Sequence, residues 1–250
     1  MIGGAHTGVR SFARQRARST GEGLVEATYG LARTILKPWL STWFKWSIEG
    51  VENIPRSGPA LLAVNHIAFL DPLATAYVVD KAHRIPRFLA KSELFRDKKI
   101  GWVLRGAKQI EVRRGSKDAP MALEHAFAAL EKGELIVVFP EGTITTDPDL
   151  KPMRAKTGLA RLALGSGVPV IPMALWGTAN IWPKGYAKRW RPRQDILCRV
   201  GEPVAPFSGD PDTPSDWEAV GDEVMDRIAV LLASLRHAVP DRRHQKKSAA

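Results

Sequence analysis

The chain has 250 residues, 44% of them hydrophobic, enough for one large α/β domain or a domain with a helical appendage. A formal net charge of +11 favours an anionic partner: nucleic acid, a phospholipid surface or a phosphorylated substrate. The single cysteine, Cys198, excludes an internal disulfide and a cysteine-rich metal site, and fits a reducing compartment.

Residues 1–22, rich in Gly, Ser and Arg, read as a mobile basic N-terminus. No long apolar region follows them directly, so no signal peptide is expected. No uninterrupted apolar run is long enough to span a bilayer. Over residues 23–48 Leu31, Ile35, Leu36, Trp39, Leu40 and Trp43 recur at helical spacing, and Phe44 and Trp46 continue the pattern. Pro38 predicts a break, hence two short helices. Trp39, Trp43 and Trp46 beside Lys37 and Lys45 suit a lipid headgroup region, so Trp39, Leu40 and Trp43 are candidate membrane-docking residues. The competing reading is a helix packed on the main domain.

Residues 49–238 alternate strand and helix signals. Ala60 to Val64 reads as a buried strand, and Asp71-Pro72 as a helix start with Asp71 as N-cap. Pro86 to Ala90 and Lys108 to Val112 are strand candidates. A helix is expected from Asp118 to Lys132, ended by Gly133, then a strand from Leu135 to Phe139 and the turn Pro140-Glu141-Gly142. Lys156 to Leu164 reads as helix, Val168 to Leu175 as strand, and Asp195 to Val200 as a strand at the sheet edge. Ser215 to Ala238 is an amphipathic helix opened by a capping box, Ser215 with Glu218. Its apolar face is Trp217, Val220, Val224, Ile228, Leu231 and Leu235. The alternation predicts an α/β fold with a mostly parallel sheet flanked by helices. Residues 239–250 read as a disordered basic tail.

Two stretches carry chemistry. Asn65-His66-Ile67-Ala68-Phe69-Leu70-Asp71 follows the first buried strand, where α/β folds build sites. Four intervening residues allow the Asp71 carboxylate to fold back and orient the His66 imidazole as a general base. Asp71 also has the plain role of helix cap. The second stretch, Phe139-Pro140-Glu141-Gly142-Thr143, ends a strand in a turn with a carboxylate and exposed amides. No Gly-x-Ser-x-Gly elbow, zinc-protease motif, P-loop or dinucleotide-binding glycine loop is present, so a base at His66 would activate the substrate's own hydroxyl.

With Asn65, His66 and Asp71 in an Asn-His-x-x-x-x-Asp block and Phe139 to Thr143 in a Phe-Pro-Glu-Gly-Thr block, the chain resembles the glycerolipid acyltransferases typified by lysophosphatidic acid acyltransferase. Gly106 to Arg114 and Val168 to Pro172 resemble two further blocks, in family order, over roughly residues 50–205. The resemblance implies acyl transfer from acyl-CoA or acyl carrier protein to a hydroxyl of lysophosphatidic acid, without metal or other cofactor. His66 would be the base and Asp71 its partner, with Gly142 and Thr143 at the oxyanion. Asn65, Glu141, Lys91, Arg113 and Lys156 would bind substrate, with Arg114 as the alternative to Arg113. It further implies a peripheral or monotopic location on the cytoplasmic face of a membrane with anionic phospholipid, and no nucleic acid. The family's third block commonly continues with Arg, where this chain has Ile144, which opens glycerol-3-phosphate or a glycolipid hydroxyl as alternative acceptors. A thioesterase and a non-catalytic basic binding protein are the rival classes.

Overall fold

The computed structural model describes residues 29–31, 33–113, 119–204 and 206–243. The expected mobile N-terminus, most of the tail and Arg114 lie outside the described residues. Helix α1 covers residues 33–43. It is followed by β1 (Phe44–Glu49), β2 (Ala60–Val64), α2 (Asp71–Lys81), β3 (Pro86–Lys91), α3 (Ser92–Arg96), α4 (Gly101–Gly106) and β4 (Ile110–Val112). Then come α5 (Ala119–Leu130), β5 (Leu135–Val138), α6 (Thr157–Ser166), β6 (Val170–Trp176), β7 (Gln194–Val200) and α7 (Pro214–Arg236). The strands form one sheet in the order β1-β7-β6-β2-β5-β3-β4. Only the β6–β7 pair is antiparallel. This is the mostly parallel α/β architecture expected.

The central strands are apolar at every position because both faces are covered. Along β2, Leu61 and Ala63 face α5, α6 and α7, packing with Ala126, Leu159, Leu162 and Ile228. Ala60, Leu62 and Val64 face the other side and pack with Ala74 and Val78 of α2. Each fully buried leucine contributes roughly 2–3 kcal/mol by removal from water. Helix α7 buries Val220, Val224, Ile228 and Leu235, with Trp217 and Leu231 partly buried.

Several local expectations are corrected. The helix does not reach residue 48: Phe44–Glu49 is a strand paired in parallel with β7. That pairing also takes β7 off the sheet edge. The residues repeat with helical spacing, but Phe44, Trp46 and Ile48 also alternate, and strand pairing with inward packing decides. Pro38 does not break α1. Arg33 and Lys37 on one side of it both pair with Asp80 of α2, and Leu36, Trp39 and Leu40 pack on the core around Tyr77 and Ile181. Tertiary contacts on both sides of the proline outweigh its lost ladder bond.

The same packing buries one candidate docking residue, Leu40, and leaves the other two, Trp39 and Trp43, half-buried. Leu40 is 3% exposed, Trp39 meets Phe44 edge to face at 5.6 Å, and Trp43 has a buried Nε1. Trp46 stacks on Tyr77 at 4.3 Å. Trp39, Trp43 and Trp46 are thus partly buried against the core that holds Leu40 and Phe44.

Ser215 lies inside α7, whose N-cap Thr213 has no side-chain bond; Glu218 instead pairs with Arg154, so there is no capping box. Arg84 is buried and donates to the carbonyls of Pro55, Gly58 and Gly133, while Arg87 grips Glu134. These two cations are internal clamps. The first residues of the expected disordered tail are ordered: Trp176 Nε1 donates to Val239 O, Asn180 bonds Pro240 O and Arg242 N, and Arg243 reaches Pro148 O. No described helix is long and apolar enough to cross a membrane.

Candidate active site

Strands β6, β2 and β5 are adjacent and parallel, so the segments leaving their C-terminal ends meet at one end of the sheet. From β2 comes the loop 65–70, from β5 the turn 139–145, and from β6 the turn 177–180.

His66 lies in the β2 loop with its side chain 16% exposed, and Nδ1 is 2.9 Å from Asp71 Oδ2. The same carboxylate oxygen accepts the amides of Ile67 at 2.6 Å and Ala68 at 2.7 Å. The other oxygen accepts Thr178 Oγ1 at 2.6 Å. Asp71 is therefore not the helix cap. It is the first residue of α2, and its carboxylate turns back to close the loop that carries His66. With an acceptor at Nδ1, the proton sits there and Nε2 is left with its lone pair. Nε2 makes no hydrogen bond to any described residue. The imidazole stacks on Phe139 at 4.3 Å, which fixes its plane.

The β2 and β5 segments are joined by Glu141. Its Oε1 accepts the His66 amide at 2.8 Å, and its Oε2 accepts the Met153 amide at 3.1 Å. Glu141 is 1% exposed. Burial pushes its carboxyl above the ordinary value, against the lowering effect of those two amides and of His66, while nearby Asp71 raises it. A second tie runs from Thr145 N to His66 O at 2.7 Å. Glu141 thus acts as a cross-link between the two loops rather than a substrate contact. Asn65 is corrected in the same way: it is fully buried, and its amide makes a two-way bond with the backbone of Leu175. It holds β2 and β6 in register at the site.

Gly142 has φ of 70°, and a Cβ there would stand 3.2 Å from Lys156 Cγ. The Gly142 amide already donates to Phe139 O, so the turn is closed. The Thr143 amide donates to no described residue. Lys156 is exposed, and its own amide is anchored on Pro140 O. Lys91 ends β3 and Arg113 follows β4, at the same end of the sheet but two and three strands away from β2, roughly 10 and 14 Å. Arg113 Nε pairs with Glu111 at 3.4 Å. Ile144 is buried, so its position presents no group to a ligand.

Thr178 and Phe139's ring contact escaped the sequence reading. The signal for Thr178 was available: Gly177-Thr178 closes the apolar run of β6 as Asn65-His66 closes that of β2. Among the described residues, no group of three or more His, Cys, Asp or Glu side chains is arranged to hold a metal ion.

Comparison with known proteins matches residues 45–176 to the acyltransferase family model. The chloroplastic 1-acyl-sn-glycerol-3-phosphate acyltransferase BAT2 of Brassica napus is 32% identical over 157 residues, covering 60% of this chain and 44% of that relative. The 1-acyl-sn-glycerol-3-phosphate acyltransferase of Borreliella burgdorferi is 33% identical over 149 residues, 58% of each chain. The chain thus spans about half the length of these curated relatives. The crystal structure of the 1-acyl-sn-glycerophosphate acyltransferase PlsC from Thermotoga maritima superposes with a TM-score of 0.62 at 27% identity, covering 91% of this chain and 85% of that one.

Proposed function

Because the chain belongs to the acyltransferase family, whose model spans residues 45–176, we propose that it moves a fatty acyl group from a thioester, acyl-CoA or acyl carrier protein, to the free hydroxyl of lysophosphatidic acid, making phosphatidic acid. The observation that carries this reading is the His66–Asp71 pair at 2.9 Å, with Nε2 unoccupied at the end of the sheet.

In this reading the acceptor hydroxyl gives its proton to His66 Nε2, and its oxygen attacks the thioester carbonyl. Asp71 stabilises the imidazolium that forms and keeps the ring in the productive tautomer. The carbon–sulfur bond then breaks, the thiolate leaves, and the imidazolium returns the proton to it. The Thr143 amide, which donates to no described residue, is the backbone donor best suited to the developing oxyanion. Lys156, beside Gly142, and Lys91 and Arg113 across the sheet end supply cations for the acceptor phosphate and the donor's anionic groups. Arg114 remains the alternative to Arg113. No cofactor takes part; the acyl donor is a substrate. We place the protein peripherally on the cytoplasmic face of a membrane, where acceptor and product reside.

The buried Ile144 favours a second acceptor reading, glycerol-3-phosphate or a glycolipid hydroxyl, because the position that usually offers an arginine offers none. The deciding experiment follows thiol release from acyl-CoA with and without lysophosphatidic acid, across a panel of acceptors with product analysis. Release that requires an acceptor supports transfer. Release without any acceptor makes the protein a thioesterase.

A further inference from the structure

Beyond the turn that carries Thr178, the chain runs through Ile-Trp-Pro-Lys-Gly-Tyr-Ala-Lys-Arg-Trp-Arg-Pro-Arg, residues 181–193. Five residues of this loop are Lys or Arg and none is Asp or Glu. The loop is anchored to the segment carrying His66: Phe69 N donates to Trp182 O at 3.1 Å, and Ala68 and Pro183 form an antiparallel bridge. Its aromatic rings form a connected row. Trp182 lies 5.7 Å from Phe69 and 5.6 Å from Trp190, which reaches Trp39 at 5.5 Å. Phe69 is 49% exposed, Tyr186 45% and Trp190 37%, large fractions for apolar rings. Lys184, Lys188, Arg191 and Arg193 are exposed around them. Arg189 turns inward to the carbonyls of Arg242 and Arg243.

We propose that this aromatic and basic rim seats the protein on an anionic lipid bilayer and brings the His66 end of the sheet to the lipid surface. Tryptophan and tyrosine settle at the headgroup level, and lysine and arginine are drawn to anionic headgroups. A nucleic-acid surface would need open ring faces for base stacking, whereas the Lys188 ammonium sits over the Trp182 ring at 4.1 Å. The choice of a bilayer rests on the acyl-transfer reading, since it is the lipid acceptor that calls for one. This rim is then a docking surface at the His66 end of the sheet, with the half-buried Trp39 at one end of its aromatic row.

The test is sedimentation of the full chain with phosphatidylcholine vesicles, with and without phosphatidylglycerol. Two variants are compared: Lys184→Ser/Lys188→Ser/Arg191→Ser, and Tyr186→Ser/Trp190→Ser. Each basic residue at an anionic surface changes affinity about fivefold, so the first variant loses on the order of a hundredfold on anionic vesicles. The second variant loses the part of binding that persists in high salt. Both keep the parent's turnover on a short-chain soluble acceptor. If both variants pellet like the parent, or if the parent prefers a single-stranded oligonucleotide to anionic vesicles, the proposal is overturned. If vesicle binding falls as expected while the parent transfers acyl groups to no acceptor, the docking surface stands and the acyl-transfer reading falls.

Discussion

Thr178 Oγ1 donates to Asp71 Oδ1 at 2.6 Å, joining the end of β6 to the start of α2 across 107 residues of chain. Both groups are fully buried. The bond leaves Asp71 no freedom to rotate away from His66. In Thr178→Val the carboxylate oxygen loses its only described partner in a dry site, which costs about 1.5–3 kcal/mol of stability. We expect kcat to fall about tenfold or more while KM for both substrates stays near the parent's. Thr178→Ser should restore kcat. An equal loss in the Val and Ser variants would show that packing, not the hydroxyl, matters.

His66→Ala removes the proposed base without touching a packed core. Transfer should fall on the order of 100- to 10,000-fold in a protein that remains folded by circular dichroism. Asp71→Asn should be severely impaired as well, because a neutral amide cannot balance an imidazolium and cannot accept as the carboxylate does from Ile67, Ala68 and Thr178. Near-parent turnover in folded His66→Ala overturns the mechanism.

The pairing of His66 with Asp71 was legible because its signals are local: a strand end, a five-residue return, two titratable side chains. So were the central strands, whose unbroken apolar runs follow from burial on both faces. The roles of Asn65 and Glu141 were not legible. Each acts through backbone groups far along the chain, Leu175 for Asn65 and His66 for Glu141, and composition carries no trace of such partners. β1 was read as helix because its aromatic residues fit both periods, and only its distant partner β7 selects one.

Glu141→Gln places an amide N–H against one of two backbone N–H groups, so we expect a loss of about 1–3 kcal/mol by chemical denaturation at neutral pH. The parent carboxyl has a folded pKa raised above its unfolded value. Its linked contribution is therefore complete below the unfolded pKa and is lost as pH rises through the folded one. The stability difference between parent and Glu141→Gln should shrink from acid pH toward neutral. A difference that grows over that range would assign Glu141 the opposite shift.

Lys156→Met should raise KM for a phosphorylated acceptor about tenfold or more, with little change for the acyl donor. Arg113→Ala should act on the same parameter, given the matching end of the sheet. Steady-state kinetics with each substrate varied in turn decides. If the donor KM responds instead, these cations hold the donor.

Asp80 receives both Arg33 and Lys37 and so ties α1 to α2. Asp80→Ala should free α1 locally, raising cleavage by trypsin at Arg33 severalfold while the main unfolding transition moves little. A large drop in Tm with no change in cleavage would make Asp80 part of the global core instead.

The strand order also fixes when the molecule can work. β1 and β2 follow one another in the chain, yet β7 and β6 lie between them in the sheet. On a ribosome, Phe44–Glu49 emerges early and has no hydrogen-bonding partner until Gln194–Val200 is made, so its edge stays open through most of synthesis. The same timing governs the dyad: His66 and Asp71 are made early, but the Thr178 hydroxyl that anchors their carboxylate arrives 107 residues later. A nascent chain halted before β6 would carry both members of the pair, closed by the local amides of Ile67 and Ala68, with Asp71 Oδ1 still lacking the Thr178 hydroxyl.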